Sequence, residues 1–200
     1  MKKISSLFLV PAVILLSVFA MGATAFEEEL GIYENTLRLH IPACSDLESD
    51  QTVKLKVRDA VLELLSEPLS ECKSKDDAVN VVLEMREEIE SEADRVLEEN
   101  GKSYRASVSV VKEHYPEKDY GELTLPAGTY TSLKIELGKA EGKNWWCVLF
   151  PQVCVGSARP TEALAEVGFT ANQIKLLTDE ENGGYVVKFK ILEILSEVFG

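Results

Sequence analysis

Histidine is nearly missing from this 200-residue chain. Two residues of it leave little room for a histidine-rich metal site or for more than one histidine-based catalytic centre. Positive charge is short as well: 21 Lys and Arg face 34 Asp and Glu, a formal net charge of −13. That balance argues against non-specific nucleic-acid binding, which needs a basic footprint. The chain has no G-x-S-x-G elbow, H-E-x-x-H helix, Walker loop or G-x-G-x-x-G turn. It has no internal repeat and no low-complexity stretch. None of the four cysteines forms the C-x2-C pair typical of zinc sites, so no metal and no cofactor is expected. What is present is length enough for one domain with a real core.

The first 25 residues differ from the rest. Lys2 and Lys3 form a short positive region, an apolar stretch runs from Ile4 to Gly22, and Ala23-Thr24-Ala25 supplies a small-x-small cleavage pattern. The segment 1–25 reads as a signal peptide cut after Ala25, with an uncleaved anchor as the rival reading because the stretch approaches the length of a membrane span. Either way, residues 26 onward face the outside of a membrane, where disulfides can persist. Cys147 and Cys154 are seven positions apart and form the favoured pair, closing a small loop around Phe150-Pro151. Cys44 with Cys72 needs the fold to bring them together, and buried free thiols are the plain alternative.

Residues 26–36 read as a stem. Leu37, Leu39 and Ile41 alternate with Arg38 and His40, the pattern of a strand ended by Pro42, with His40 on a solvent-facing polar side. Ser45 with Glu48 fits a capping box and Asp46 is an equally good N-cap. A helix follows to about Ser66, with Val53, Val57, Ala60, Val61, Leu64 and Leu65 at helical spacing and Pro68 beyond it. A second helix spans Lys75 to Glu99, started by Ser74 with Asp77 and stopped by Asn100-Gly101. Its outer face, with Glu84, Glu87, Glu88, Glu90, Glu92 and Asp94, reads as a solvated face rather than an acidic docking surface.

Tyr104 to Val110 alternates as a strand. Leu123-Thr124-Leu125 and Tyr130–Leu137 flank the turn Pro126-Ala127-Gly128 and read as a hairpin. Gly156 to Pro160 reads as a linker, Thr170 to Gln173 as a capping-box start, and Val186 to Val198 as a last amphipathic segment. The fold class is α+β: a single domain with an antiparallel or mixed sheet covered by two amphipathic helices, and a C-terminal helical tail over 156–200.

Chemistry-bearing groups are few. A Ser45–His40–Asp46 triad lacks any spacing argument beyond closeness in sequence. Asp46, Glu48 and Asp50 lack the glycine turn and distal glutamate of a calcium loop, and first-turn dipole and capping duty explains them more simply. A paired-carboxylate hydrolase finds no specific signal among 34 acids. Trp145-Trp146 carries more information: adjacent strand residues point in different directions, so the pair reads either as an interface anchor or as two rings packed on the sheet.

As a set, these segments resemble the stage II sporulation protein R family. The resemblance rests on Leu37-Arg38-Leu39-His40-Ile41, Ser45-Asp46, Asp50-Gln51 and Lys54-Leu55-Lys56-Val57-Arg58-Asp59-Ala60-Val61. It continues through Tyr120-Gly121, Leu125 to Tyr130, and Gly142-Lys143-Asn144-Trp145-Trp146-Cys147-Val148-Leu149-Phe150-Pro151 with Cys154. It spans residues 37–155, with order and spacing kept. Cys44 stands where the family usually has asparagine, and Leu47-Glu48 replaces its Ser-Pro helix start.

The resemblance implies a protein of endospore-forming bacteria, made in the forespore and exported into the space between forespore and mother cell. There it triggers a membrane-embedded aspartic protease of the mother-cell side to process the sigma-E precursor. That implies a secreted signal acting by protein binding and not an enzyme, with no catalytic residue to carry over. The candidate contact residues are Asp46, Asp50, Arg58 and Asp59, joined by Asn144, Trp145 and Trp146 where the two signatures converge. An exported cell-wall hydrolase using a carboxylate pair is the alternative, and a wall or coat component without signalling is a third reading.

Overall fold

A computed structural model describes residues 13, 16, 30–121, 123–153 and 160–178. The signal segment with Ala23 and Ala25, Cys154 with its pairing to Cys147, and the closing segment 186–198 lie outside the described residues. The strands are β1 (Leu37–Pro42), β2 (Ala106–Tyr115), β3 (Lys118–Asp119), β4 (Thr124–Leu125), β5 (Gly128–Leu137) and β6 (Asn144–Phe150). The helices are α1 (Glu48–Ser70), α2 (Lys75–Glu84), α3 (Arg86–Glu99), α4 (Pro160–Glu166) and α5 (Ala171–Thr178). Among the described residues no helix is long and apolar enough to cross a membrane.

Four strands form one mixed sheet in the order β2-β5-β1-β6, with β1 parallel to β5 and the other two pairings antiparallel. The α+β architecture is therefore as the sequence pattern indicates. The hairpin differs: β5 pairs with β2 along ten residues, from Ala106↔Leu137 to Tyr115↔Gly128, whereas β4 pairs with β3 in a separate two-stranded sheet. A turn signal marks where the backbone bends, but long-range burial of Leu133, Ile135 and Leu137 decides the partner.

One face of the sheet carries the main core. Leu37, Leu39, Ile41, Leu133, Ile135, Leu137, Cys147 and Leu149 meet Val53, Val57, Val61 and Leu65 of α1 and Ile89, Ala93, Val96 and Leu97 of α3. The long second helix bends at Met85 (ψ 6°) into α2 and α3 while the hydrogen bond from Met85 N–H to Val81 O continues. The bend keeps Ala78 and Val82 on the same core as the α3 stripe. Ser74 and Asp77 form the capping box that opens α2. At the other end, Gly101 (φ 71°) lets its own N–H reach Glu98 O and the Lys102 N–H reach Leu97 O, the paired bonds of a left-handed stop.

Two local expectations fail. The first helix runs through Pro68 to Ser70: the proline forfeits one helix hydrogen bond near the C-terminal end, and burial of Leu65 and Leu69 on either side offsets the loss. Its N-cap position is taken by Leu47, which has no polar group to offer the first turn. Of the expected caps, Ser45 donates to the Asp50 carboxylate and accepts from the Leu47 N–H, and Asp46 accepts from the distant Lys143 N–H.

The second sheet face is covered too. Ile32, Leu123, Leu125, Leu164, Phe169 and Leu177 pack with Tyr115, Tyr130 and Val148 there. The stem is helical over residues 30–34, and Pro160 opens α4 instead of ending a linker. Thr170 and Gln173 form the capping box that starts α5: Thr170 Oγ1 accepts from Gln173 N–H, and Gln173 Oε1 accepts from Thr170 N–H. β1 is consequently covered on both sides, and its alternation separates two buried faces rather than a wet one from a dry one.

Candidate functional site

Both sheet faces converge at β1 and β6, whose register pairs His40 with Trp146, Ile41 with Trp145 and Pro42 with Asn144. On the helical side, the loop before β6 locks onto the start of α1. Gly142 N–H donates to Ala43 O, and the Lys143 N–H donates to Asp46 Oδ1 at 2.7 Å. A Cβ at 142 would sit 2.3 Å from the Ser45 carbonyl oxygen, so only glycine allows this approach. Lys54 is buried beneath the loop and donates to Lys143 O and Gln51 Oε1. Burial holds its pKa below the ordinary lysine value, with Asp46 acting against the shift.

Asp50 is the hub of this side. Its carboxylate accepts from Lys102 Nζ at 2.6 Å, Ser45 Oγ at 2.6 Å and Tyr104 Oη at 2.8 Å. The bond from Lys102, then that from Ser45, outweighs burial and lowers its pKa from 3.8 to about 2. Asp50 is therefore an internal strut, not an exposed contact. Arg58 lies 4.3 Å over the Trp145 ring and also pairs with Asp59. Asp46, Asp59 and Asn144 are exposed, and Arg58 and Trp145 are half-buried. Two further apolar residues adjoin them along α1: Leu47, 68% exposed, and Leu55, 36% exposed.

Trp146 points to the other face. Its ring lies 6.0 Å from both His40 and Tyr115. His40, expected at the surface, is only 12% exposed in its imidazole group. One ring nitrogen is 2.9 Å from Glu113 Oε2 and the other 2.9 Å from Asn144 Oδ1, so the imidazole ties β2 to β6 across the sheet. Burial works to raise the Glu113 pKa, but hydrogen bonds from His40, Ser132 and Tyr115 prevail and hold it below the usual glutamate value. Arg38 is fully buried beside this group, with its Cζ 4.2 Å from the Tyr115 ring and 4.9 Å from the Tyr130 ring.

The structure brings Asp46, Arg58, Asp59, Asn144 and Trp145 to one end of the domain, buries Asp50, and places the half-buried Trp146 on the opposite sheet face. No Ser45–His40–Asp46 triad forms, since His40 binds Glu113 and Asn144 while Ser45 binds Asp50. No cluster of three or more His, Cys, Asp or Glu residues suited to a metal ion occurs among the described residues. Cys44 and Cys72 are free thiols. On α3 the acidic face does more than meet water: Asp94 and Glu90 accept the Ala106 and Val108 N–H groups at the outer edge of β2. Reasoning from sequence missed Arg38 and Glu113. An arginine in the middle of an apolar strand was the available signal for the first, and nothing local marks the second.

The described residues form a small α+β domain in which polar groups join secondary-structure elements. A family model described as stage II sporulation protein R matches residues 33–159. A protein of that name from Bacillus subtilis (strain 168) is 33% identical over 186 residues, 84% of this chain and 83% of its own length. No solved structure matches. The chain belongs to the stage II sporulation protein R family, and its role lies in sporulation.

Proposed function

We propose that this protein is an exported signal of endospore formation that activates a membrane-embedded aspartic protease by binding it. The forespore exports it into the space between the two membranes, where residues 26 onward meet the protease that cleaves the sigma-E precursor. The observation that carries this reading is the family match, which spans residues 33–159 and includes all the contact candidates. The protein acts without chemistry of its own. It binds the active state of the protease better than the inactive one, the only way a ligand shifts such an equilibrium.

The contact surface is the end of the domain where Asp46, Asp59 and Asn144 surround the Arg58–Trp145 stack. Leu47 and Leu55 supply apolar area beside it, and a tryptophan and an arginine at its centre suit a binding hot spot. Asp50 holds that end from within, and Trp146 lies on the opposite sheet face. A disulfide between Cys147 and Cys154 belongs to the same proposal, staying oxidised after export.

Reconstitution in a host that does not sporulate tests this. This protein, the protease and the sigma-E precursor are co-expressed and precursor cleavage is followed by blot. Cleavage that requires this protein and its residues 1–25 is the expected result. Absence of cleavage with all three proteins folded and correctly placed overturns direct activation.

A further inference from the structure

Among the described residues, Arg38 is a buried cation without a counter-charge. Its Nε donates to Cys147 O at 3.0 Å and its Nη2 to the Tyr120 hydroxyl, but Nη1 is buried with no acceptor. Among the described residues it makes no ion pair, and Glu113 on this face is taken by His40 and Tyr115. A guanidinium keeps its charge at any accessible pH. The rings of Tyr115, Tyr130 and Tyr120 offset part of the cost of removing it from water, but aromatic faces and neutral oxygens do not replace an anion.

The incomplete partners lie on one side of the group. Nη1 and Nη2 are neighbouring prongs of the fork that matches a carboxylate with two parallel bonds. One prong is free and the other is held only by a phenol hydroxyl. Tyr120 is half-buried and sits on the β3–β4 hairpin, whose strands are two residues each. A single buried unit charge calls for a monoanion, and flat ring walls favour a planar one.

We propose that Arg38 is a carboxylate-binding site closed by Tyr120, and that its ligand is a peptide carboxylate, either the C-terminus of a polypeptide or an Asp or Glu residue. The carboxylate displaces the Tyr120 hydroxyl from Nη2 and takes Nη1 with its second oxygen. The site faces away from the Arg58–Trp145 surface and does not depend on the signalling role.

The test titrates the purified full-length protein with four probes while following the 15N resonance of Arg38 Nε–H. Acetyl-glycylglycine presents a terminal carboxylate and N-acetylaspartate amide a side-group one; acetyl-glycylglycine amide and inorganic phosphate are the controls. A saturable shift with a carboxylate probe and none with the controls is expected, and the stronger of the two probes names the source. Arg38→Lys keeps the charge but loses the fork, and should weaken binding roughly tenfold. Tyr120→Phe removes the competing hydroxyl and should tighten binding severalfold. Should Arg38→Lys fail to fold, Tyr120→Phe decides alone. Unchanged or weaker binding in Tyr120→Phe, an equal response to the amide, or no saturation with any probe overturns the proposal and leaves a buried water as the partner of Nη1.

Discussion

The two faces of the sheet bury charge in opposite ways. On the helical face, Asp50 is surrounded by a lysine, a serine and a tyrosine that all donate to it, so its charge is matched and its oxygens are occupied. On the other face, Arg38 is equally buried yet has aromatic rings and neutral oxygens in place of an anion. The first arrangement is what a structural joint requires: it fixes the α1 start to the α3–β2 connection in one geometry. The second leaves a demand unmet, which stability alone does not explain. Burial of a charged residue thus says little until its partners are counted.

The largest expected effect falls on the matched side. Asp50→Ala strands Lys102, Tyr104 and Ser45 and should cost about 3–4 kcal/mol in urea unfolding. A loss below about 1 kcal/mol would erase the contrast between the faces. The same residue sets an acid dependence. Its folded pKa lies below the ordinary 3.8, at about 2, so its contribution is fully present above pH 4 and is lost as pH falls towards 2. The stability gap between wild type and Asp50→Asn should therefore narrow by about 1–2 kcal/mol over that window. A gap that stays constant would mean that Asp50 acts through shape and not charge.

Arg38→Met should behave differently. Losing a buried ion that has no counter-ion among the described residues, in exchange for an apolar residue of similar reach, should leave unfolding stability within about 1 kcal/mol of wild type. A loss as large as that at Asp50 would show that the tyrosine rings and the Cys147 carbonyl already satisfy the guanidinium.

Local rules were legible in the sequence wherever the partners lie within a few residues. The capping boxes at Ser74–Asp77 and Thr170–Gln173 and the stop at Asn100-Gly101 form as their spacing indicates. Ser45 and Asp46 carry the same kind of signal and do not cap, because Asp50 and Lys143 compete for them. The period-two pattern of β1 sorted its residues onto the correct faces, but periodicity does not report whether the polar face is roofed. That roof comes from residues 30–34, just ahead of β1, and from the β3–β4 hairpin and α4–α5, which are distant in sequence. The Arg58–Trp145 and Asp46–Lys143 contacts join the two signature segments, yet only folding shows that Trp146 belongs to the opposite side.

The smallest expected effect on stability is at Asp59, and it separates contact from architecture most cleanly. Its carboxylate arm is 65% exposed and its one described bond is to the neighbouring Arg58. An exposed pair of this kind contributes little, so Asp59→Ala should leave unfolding within about 0.5 kcal/mol of wild type. The Arg58 guanidinium keeps its place over the Trp145 ring, since that stacking does not need the carboxylate. Folding, the Arg58–Trp145 stack and the Asp50 hub are then all intact in the variant. A severalfold drop in precursor cleavage with Asp59→Ala would therefore report a lost contact with the protease. Cleavage at the wild-type level would remove this part of α1 from the contact surface and shift attention to Asn144 and Asp46.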